Sequence, residues 1–435
     1  MKHRIVVLGA GYAGAIAAGR LARRLHPDHT EITVVNAGPD FVERVRMHQL
    51  ATGQDLKPRK LSDIYAGTGV RVRLSRVTAL DADRKTVALI DEHGADEIAY
   101  DSLVYALGSA AADHGVPGVA EHAYDVAGRP SALRLRERLG DLAAGGTVLV
   151  VGGGLTGLEA TTEIAEARPD LGVAIAVRGG LGEWLNEKAQ RHLRGVFDRL
   201  GIAVHEHTDI ARVEATGAVT GDARAIPAEV IVWTAGFAVH PIAAATTLQV
   251  AETGQIIVDA TMRSVSHPDV YAIGDAGLAA GPGGKPLRMS CASGTPMAWQ
   301  AADAIAARLT GRSIPRAPLR YFNQCISLGR RDGIIQFVTA DDRAKPSLLT
   351  GKLAARYKEF VCAGAAWGVT HPTLLLPTRR RRVAAVPHTS APMIRETEQL
   401  RPRRTTAHLN SATRQANSPR TSTDRQPTTA PTRLE

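Results

Sequence analysis

The chain has 435 residues, enough for about three domains and a large buried core. Apolar residues make up 44% and charged residues 22%, close to globular usage. Three cysteines, at positions 291, 325 and 362, exclude a disulfide-stapled scaffold, a CxxC pair and any zinc spacing. The net charge of +10 lies mostly at one end: residues 377–435 hold twelve Arg, no Lys and four acids, a balance of +8. The body therefore needs no specific nucleic-acid partner, and the basic stretch, rich in Thr, Pro and Ser without apolar periodicity, reads as a disordered tail. Only 4% aromatics beside 42 glycines suit nucleotide-binding loops better than a base-stacking surface.

In chain order, Ile5-Val6-Val7-Leu8 reads as a short buried strand. Gly9-Ala10-Gly11-Tyr12-Ala13-Gly14 follows, then an Ala-rich helix to position 25. This is the strand–GxGxxG–helix order of a dinucleotide fold, in which the helix N-terminus faces a pyrophosphate. The next strand, 31–35, ends at Asn36, 22 residues past Gly14. The first twenty residues also imitate a secretory leader, but glycines at nucleotide-loop spacing favour the strand–loop–helix. No uncharged apolar run reaches the roughly 20 residues of a membrane span, so a cytoplasmic chain is expected.

The same pattern recurs. A strand at 147–151 leads into Gly152-Gly153-Gly154-Leu155-Thr156-Gly157 and a helix to 167, and a further strand ends at Arg178, 21 residues past Gly157. One such loop is a weak signal. Two, each in context, are strong. Between them lies a β-rich stretch ending in Tyr105-Ala106-Leu107-Gly108. After the second come a strand running to Gly236, a strand running into Gly274-Asp275, and a helix start in which Thr295 caps and Pro296 takes the first position.

Residues 319–338 read as a hairpin turned by Asp332-Gly333. A helix over 352–361 puts Leu353, Tyr357, Phe360 and Val361 on one face, expected to pack on the body. His205-Glu206-His207 lacks a third ligand, and no metal site is expected.

These pieces resemble the pyridine nucleotide:flavin oxidoreductases over about residues 3–310. The resemblance implies an α/β fold with two Rossmann-like domains: a discontinuous FAD domain (1–115 and 245–315), an inserted NAD(P)H domain (116–244), a small C-terminal α+β domain (316–376) and the tail (377–435). It implies FAD on Gly9, Gly11, Gly14, Asn36, Arg44, Gly108, Gly274 and Asp275, and NAD(P)H on Gly152, Gly154, Gly157, Arg178 and Gly236. The helix after Asp275 would point its N-terminus at the flavin's N1–C2=O edge.

Within that superfamily the chain is most similar to type II NADH dehydrogenase-like proteins. The shared segments are residues 41–53 and GGGLTGLEATTE, whose Glu159 would lie near the junction of nicotinamide and flavin. Gln300 keeps one of the family's two quinone-side glutamines, while Pro296 replaces the other. Asn36 stands where the family has an acid. Arg178 replaces the acid that selects NADH, which leans toward the 2′-phosphate of NADPH. No cysteine precedes Cys291, so electrons would leave the flavin for a quinone or another small acceptor, not a protein disulfide. A ferredoxin reductase-like carrier and a non-catalytic redox sensor are the alternatives, and peripheral contact with the inner face of the cell membrane stays open. Nothing in the pattern sets an oligomeric state.

Overall fold

Two parallel sheets carry the two glycine loops. In the first, Val270–Ala272, Ser102–Tyr105, His3–Leu8, Thr30–Asn36 and Arg71–Leu74 lie side by side in that order, all parallel. Ile5 to Leu8 are all buried, as a strand covered on both faces should be. In the second, the order is Ala203–His205, Gly172–Ala176, Thr147–Val151, Val230–Trp233 and Ala123–Tyr124, again all parallel. Each central strand feeds a glycine loop and then a helix, Tyr12–Arg24 in the first sheet and Leu155–Ala167 in the second. The computed structural model describes residues 1–315 and 319–384.

Two links join the sheets. Ser109–Ala111 leaves the first and Phe237–Val239 returns to it, and the two pair antiparallel. Each sheet also has an antiparallel meander: Arg76–Asp81, Thr86–Asp91 and Gly94–Ala99 beside the first, Ile210–Glu214, Gly217–Thr220 and Ala225–Pro227 beside the second. The first loop helix packs on the long helix Cys291–Leu309. Ala15, Ala17 and Ala18 on the one and Ala298, Ala301 and Ala302 on the other are all fully buried, and such small side chains let two helices approach closely.

The long helix begins earlier than Thr295-Pro296 suggests. Ser290 is its N-cap, and Pro296 lies inside it. The Ser293 hydroxyl donates to the Arg288 and Ser290 carbonyls and closes the preceding turn. Pro296 forfeits a single backbone bond, to Ala292, within the first two turns, so the helix runs through it.

At the C-terminal end the hairpin acquires a third strand. Asn323–Ser327, Gly333–Val338 and Ala344–Thr350 form an antiparallel sheet, followed by the helix Gly351–Thr370. The left-handed residue of the first turn is Gly329 (φ 74°), not Gly333, which opens a strand. Asp332 is occupied otherwise, accepting from His192 at 2.7 Å and Arg199 at 2.8 Å on the helix Glu187–Arg199.

The expected packing of the 352–361 stripe is met only in part: Tyr357 and Val361 are half-buried, and the Tyr357 hydroxyl accepts from Asn323 at 2.8 Å. Leu353 is 67% exposed and Phe360 74%. Small residues, Ala354, Cys362 and Ala366, face the body instead. They let the helix settle against its neighbours while Leu353 and Phe360 point outward.

The basic stretch also departs from expectation at its start. Arg381 accepts from the His26 N–H at 2.8 Å and donates its own N–H to Arg24 at 2.9 Å, and Ala384 donates to Leu309. Residues 377–384 thus strap the ends of two helices whose last carbonyls need donors. The rest of the expected tail, from 385, lies outside the described residues. Among the described residues, no helix is long and apolar enough to cross a membrane.

Candidate functional site: a cavity between two glycine loops

Both loops open on one cavity of about 570 Å3. In the first loop, Gly9 has φ 92°, and a Cβ there would sit 2.4 Å from the Ala106 carbonyl oxygen. A Cβ on Gly14 would lie 1.9 Å from the Gly9 oxygen. The fold itself demands these two. Gly11 is different: its φ of −67° suits any residue, and a Cβ would meet nothing within 4 Å. The chain leaves that room unused at a helix N-terminus, where a diphosphate gains backbone N–H donors and the favourable end of the dipole.

The second loop repeats the arrangement. Gly152 and Gly157 are sterically required, whereas Gly154, with φ −77°, has open space around it. The residues present therefore fit two dinucleotides.

Beside the first sheet, Asp275 follows Gly274 (φ 65°) in a short turn. Its Oδ2 accepts from the Ser109 hydroxyl at 2.6 Å and lies 3.4 Å from Arg44 Nη1. Arg44 reaches Ser109 at 3.3 Å and rests over the Phe237 ring. Gly108 borders the same guanidinium. Arg44, Gly108, Gly274 and Asp275 therefore meet on the cavity wall. Asn36 does not join them. Its Oδ1 accepts from the Ala10 N–H at 2.9 Å and its Nδ2 donates to Gly38 at 2.7 Å, so it pins the loop to the second strand.

Beyond the strand ends of the second sheet, Gly236 and Arg178 line the cavity. The Arg178 side chain is 77% exposed and stands 3.7 Å from Asp209.

The opposite wall holds a buried charge pair that the sequence only half reveals. Glu159 Oε1 is 2.8 Å from Lys358 Nζ, with side chains 9% and 14% exposed. The same oxygen accepts from the Ser327 N–H at 3.0 Å and its hydroxyl at 3.2 Å. Burial alone would push the Glu159 carboxyl up, but Lys358, His48 and the Ser327 N–H hold it below its ordinary range. Burial likewise opposes the Lys358 charge, and Glu159 outweighs it, so the ammonium is held. His48, 3.5 Å from the Ser327 hydroxyl, is pushed down by burial to about 4 and is neutral near pH 7.

One turn along the helix, burial pushes Glu163 up to about 7, although Gln54 donates to it at 2.5 Å. Gln300 is elsewhere. Its Nε2 donates to the Pro315 carbonyl at 2.8 Å, and it is not among the described residues lining the cavity. Cys291 does line the cavity. It is a free thiol whose pKa burial raises, as burial raises Cys325 to about 12 and Cys362 to about 11.

Residues 3–306 match the family model for pyridine nucleotide-disulphide oxidoreductases. The chain belongs to this family. It is an FAD-dependent NAD(P)H dehydrogenase, with FAD and NAD(P)H as its cofactors. An NADH dehydrogenase-like protein of Mycobacterium tuberculosis is 30% identical over 319 residues, 68% of this chain and 78% of that protein. The demethylphylloquinone reductase of Synechocystis is 26% identical over 380 residues, 82% of this chain and 92% of that one. Among solved structures, NDH2 from Plasmodium falciparum in complex with NADH shares the fold, with a TM-score of 0.73 at 15% identity over 86% of this chain and 97% of that one. This member departs from the disulphide chemistry in the family's description: its three cysteines are free, and none stands in a CxxC pair.

Three site residues escaped the sequence reading: Lys358, His48 and Ser109. Lys358 and Glu159 meet only through the fold. His48 lay within the 41–53 resemblance but carried no spacing signal. Ser109 directly follows the turn at Gly108 and was a readable position.

Proposed function

We propose that this dehydrogenase passes the electrons it takes from NAD(P)H to a quinone, at a membrane surface that it touches peripherally. The carrying observation is the buried Glu159–Lys358 pair on the cavity wall. Gly9, Gly11, Gly14, Arg44, Gly108, Gly274 and Asp275 would hold FAD, with Gly11 leaving the diphosphate its room. Gly152, Gly154, Gly157, Gly236 and Arg178 would hold the nicotinamide dinucleotide. Bound FAD supplies the hydride acceptor and a store for two electrons.

The protein positions the two rings and excludes water around them. Lys358 keeps a positive charge where negative charge develops on reduction, and Glu159 holds that ammonium in place. Arg178, in the place of an acid, admits the 2′-phosphate of NADPH as well as NADH. Free thiols with raised pKa values leave no thiolate to take the electrons.

Membrane contact is supported by the outward stripe of the C-terminal helix. Leu353, Phe360 and Trp367, at spacings of seven, are 67%, 74% and 40% exposed, and Phe322 nearby in sequence to the same sheet is 63% exposed. Such a row of large apolar side chains suits an interface.

The test is steady-state oxidation of NADH and NADPH by the FAD-loaded protein with menadione, set against ferricyanide. Quinone-dependent turnover is expected. Flavin that is reduced by the nicotinamide but not reoxidised by menadione removes the quinone reading. Failure of both nicotinamides to reduce the flavin favours a redox sensor.

A further inference from the structure

A second cavity, of about 690 Å3, is lined by Arg20, Arg24, Arg312, Arg379 and Arg381, with Asp303 as the one acid among its described lining residues. Asp303 is already engaged. Arg20 holds both its oxygens at 2.8 Å, and Arg24 approaches at 2.5 Å. Arg312, Arg379 and Arg381 have no carboxylate within ion-pair distance among the described residues.

Helix ends account for part of this charge. The C-termini of Tyr12–Arg24 and Cys291–Leu309 lie here, each worth about −0.5 of a charge. Five arginines against one aspartate and two such ends still leave a wall of about +3. Backbone pairing of Arg381 with Arg24 and His26 keeps the basic stretch over the cavity.

Arginine's planar fork matches phosphate oxygens, and several forks converging on one space favour a multiply charged oxyanion over a single carboxylate. The volume exceeds a bare phosphate and falls in the range of ordinary ligand pockets. Leu376 lines the rim, and Leu374, Leu375 and Leu376 are 45%, 73% and 66% exposed, giving an apolar edge beside a polar cavity.

We propose that this cavity binds a phosphate group, carried by an anionic phospholipid head or by a soluble phosphoester. The site is separate from the cofactor cavity, and no lining residue is shared. Its standing does not depend on the acceptor.

The FAD-loaded full chain is compared with the double variant Arg312→Glu/Arg379→Glu. A control, Arg134→Glu/Arg331→Glu, makes the same charge change elsewhere. One arm measures cosedimentation with phosphatidylglycerol–phosphatidylcholine vesicles against pure phosphatidylcholine. The other titrates inorganic phosphate calorimetrically.

Losing two arginine contacts should weaken binding about 30-fold, with flavin content and NADH-driven flavin reduction unchanged. Any contribution from residues 385–435 is common to all three proteins. Loss in the vesicle arm assigns the phosphate to lipid, and loss in the phosphate arm alone assigns it to a soluble ester. Equal binding by wild type and double variant in both arms, or equal weakening by the control, overturns the site.

Discussion

Replacing Lys358 with Met leaves Glu159 buried, 9% exposed, without its cation. Removing one partner of a buried ion pair costs about 3–5 kcal/mol. Glu159 keeps two donors from Ser327, so the low end applies, about 3 kcal/mol. The carboxyl then has a pKa raised above its unfolded value by burial. A raised folded pKa means the penalty is small below the ordinary carboxyl pKa and grows as pH rises through the folded one. Urea unfolding of the FAD-loaded protein at pH 5 and pH 8 measures this for wild type, Lys358→Met, Glu159→Gln and the double variant. The Lys358→Met loss should be larger at pH 8, and the double variant should recover most of it, with a coupling of at least about 2 kcal/mol. If the single losses simply add, the two side chains do not hold one another and the pair cannot carry the charge argument above.

Gly11→Val should fold yet retain little FAD, because the added side chain enters open space that the diphosphate needs; a yellow variant with full flavin content would show that the room serves nothing. Arg178→Glu should weaken NADPH about tenfold more than NADH, the low figure reflecting 77% exposure. Stopped-flow flavin reduction reads this, and equal effects on both nicotinamides would make Arg178 a surface residue. Glu163→Gln should flatten the pH dependence of stability between pH 5 and 8. Burial raises Glu163 from 4.5 to about 7, so its contribution is full below 4.5 and lost as pH rises through 7, roughly 3 kcal/mol in all. Superimposable melting profiles for the two proteins across that range would contradict the raised pKa.

Local chemistry made the loops legible: a glycine's place in a strand–loop–helix is written in neighbouring residues. Asp275 was marked by resemblance, and the fold brings it to the cavity wall beside Arg44. Glu159 could be marked by resemblance, but its partner Lys358 could not. It stands in an ordinary amphipathic helix, and only the antiparallel C-terminal sheet brings that helix to the cavity. The stripe around Phe360 was seen but only half of it packs inward, Tyr357 and Val361 and not Leu353 and Phe360, since periodicity says which residues share a face and not which way the face turns. Thr295-Pro296 misled because a good local start signal competes with an earlier one at Ser290, where the Ser293 hydroxyl closes the turn by donating to the Arg288 and Ser290 carbonyls. Asp332-Gly333 misled similarly, because hydrogen bonds from His192 and Arg199 claim the aspartate.

The two paired links have a mechanical meaning. A single tether would let one sheet swivel against the other. Here the outgoing strand Ser109–Ala111 and the returning strand Phe237–Val239 are laced together, so a twist applied to one is felt by both. Ser109 in the first touches Asp275, and Phe237 in the second lies under Arg44. The seam that resists the swivel is also where Asp275 and Arg44 are held. A load applied to the second sheet is therefore felt at Asp275 and Arg44, through a splice two strands wide.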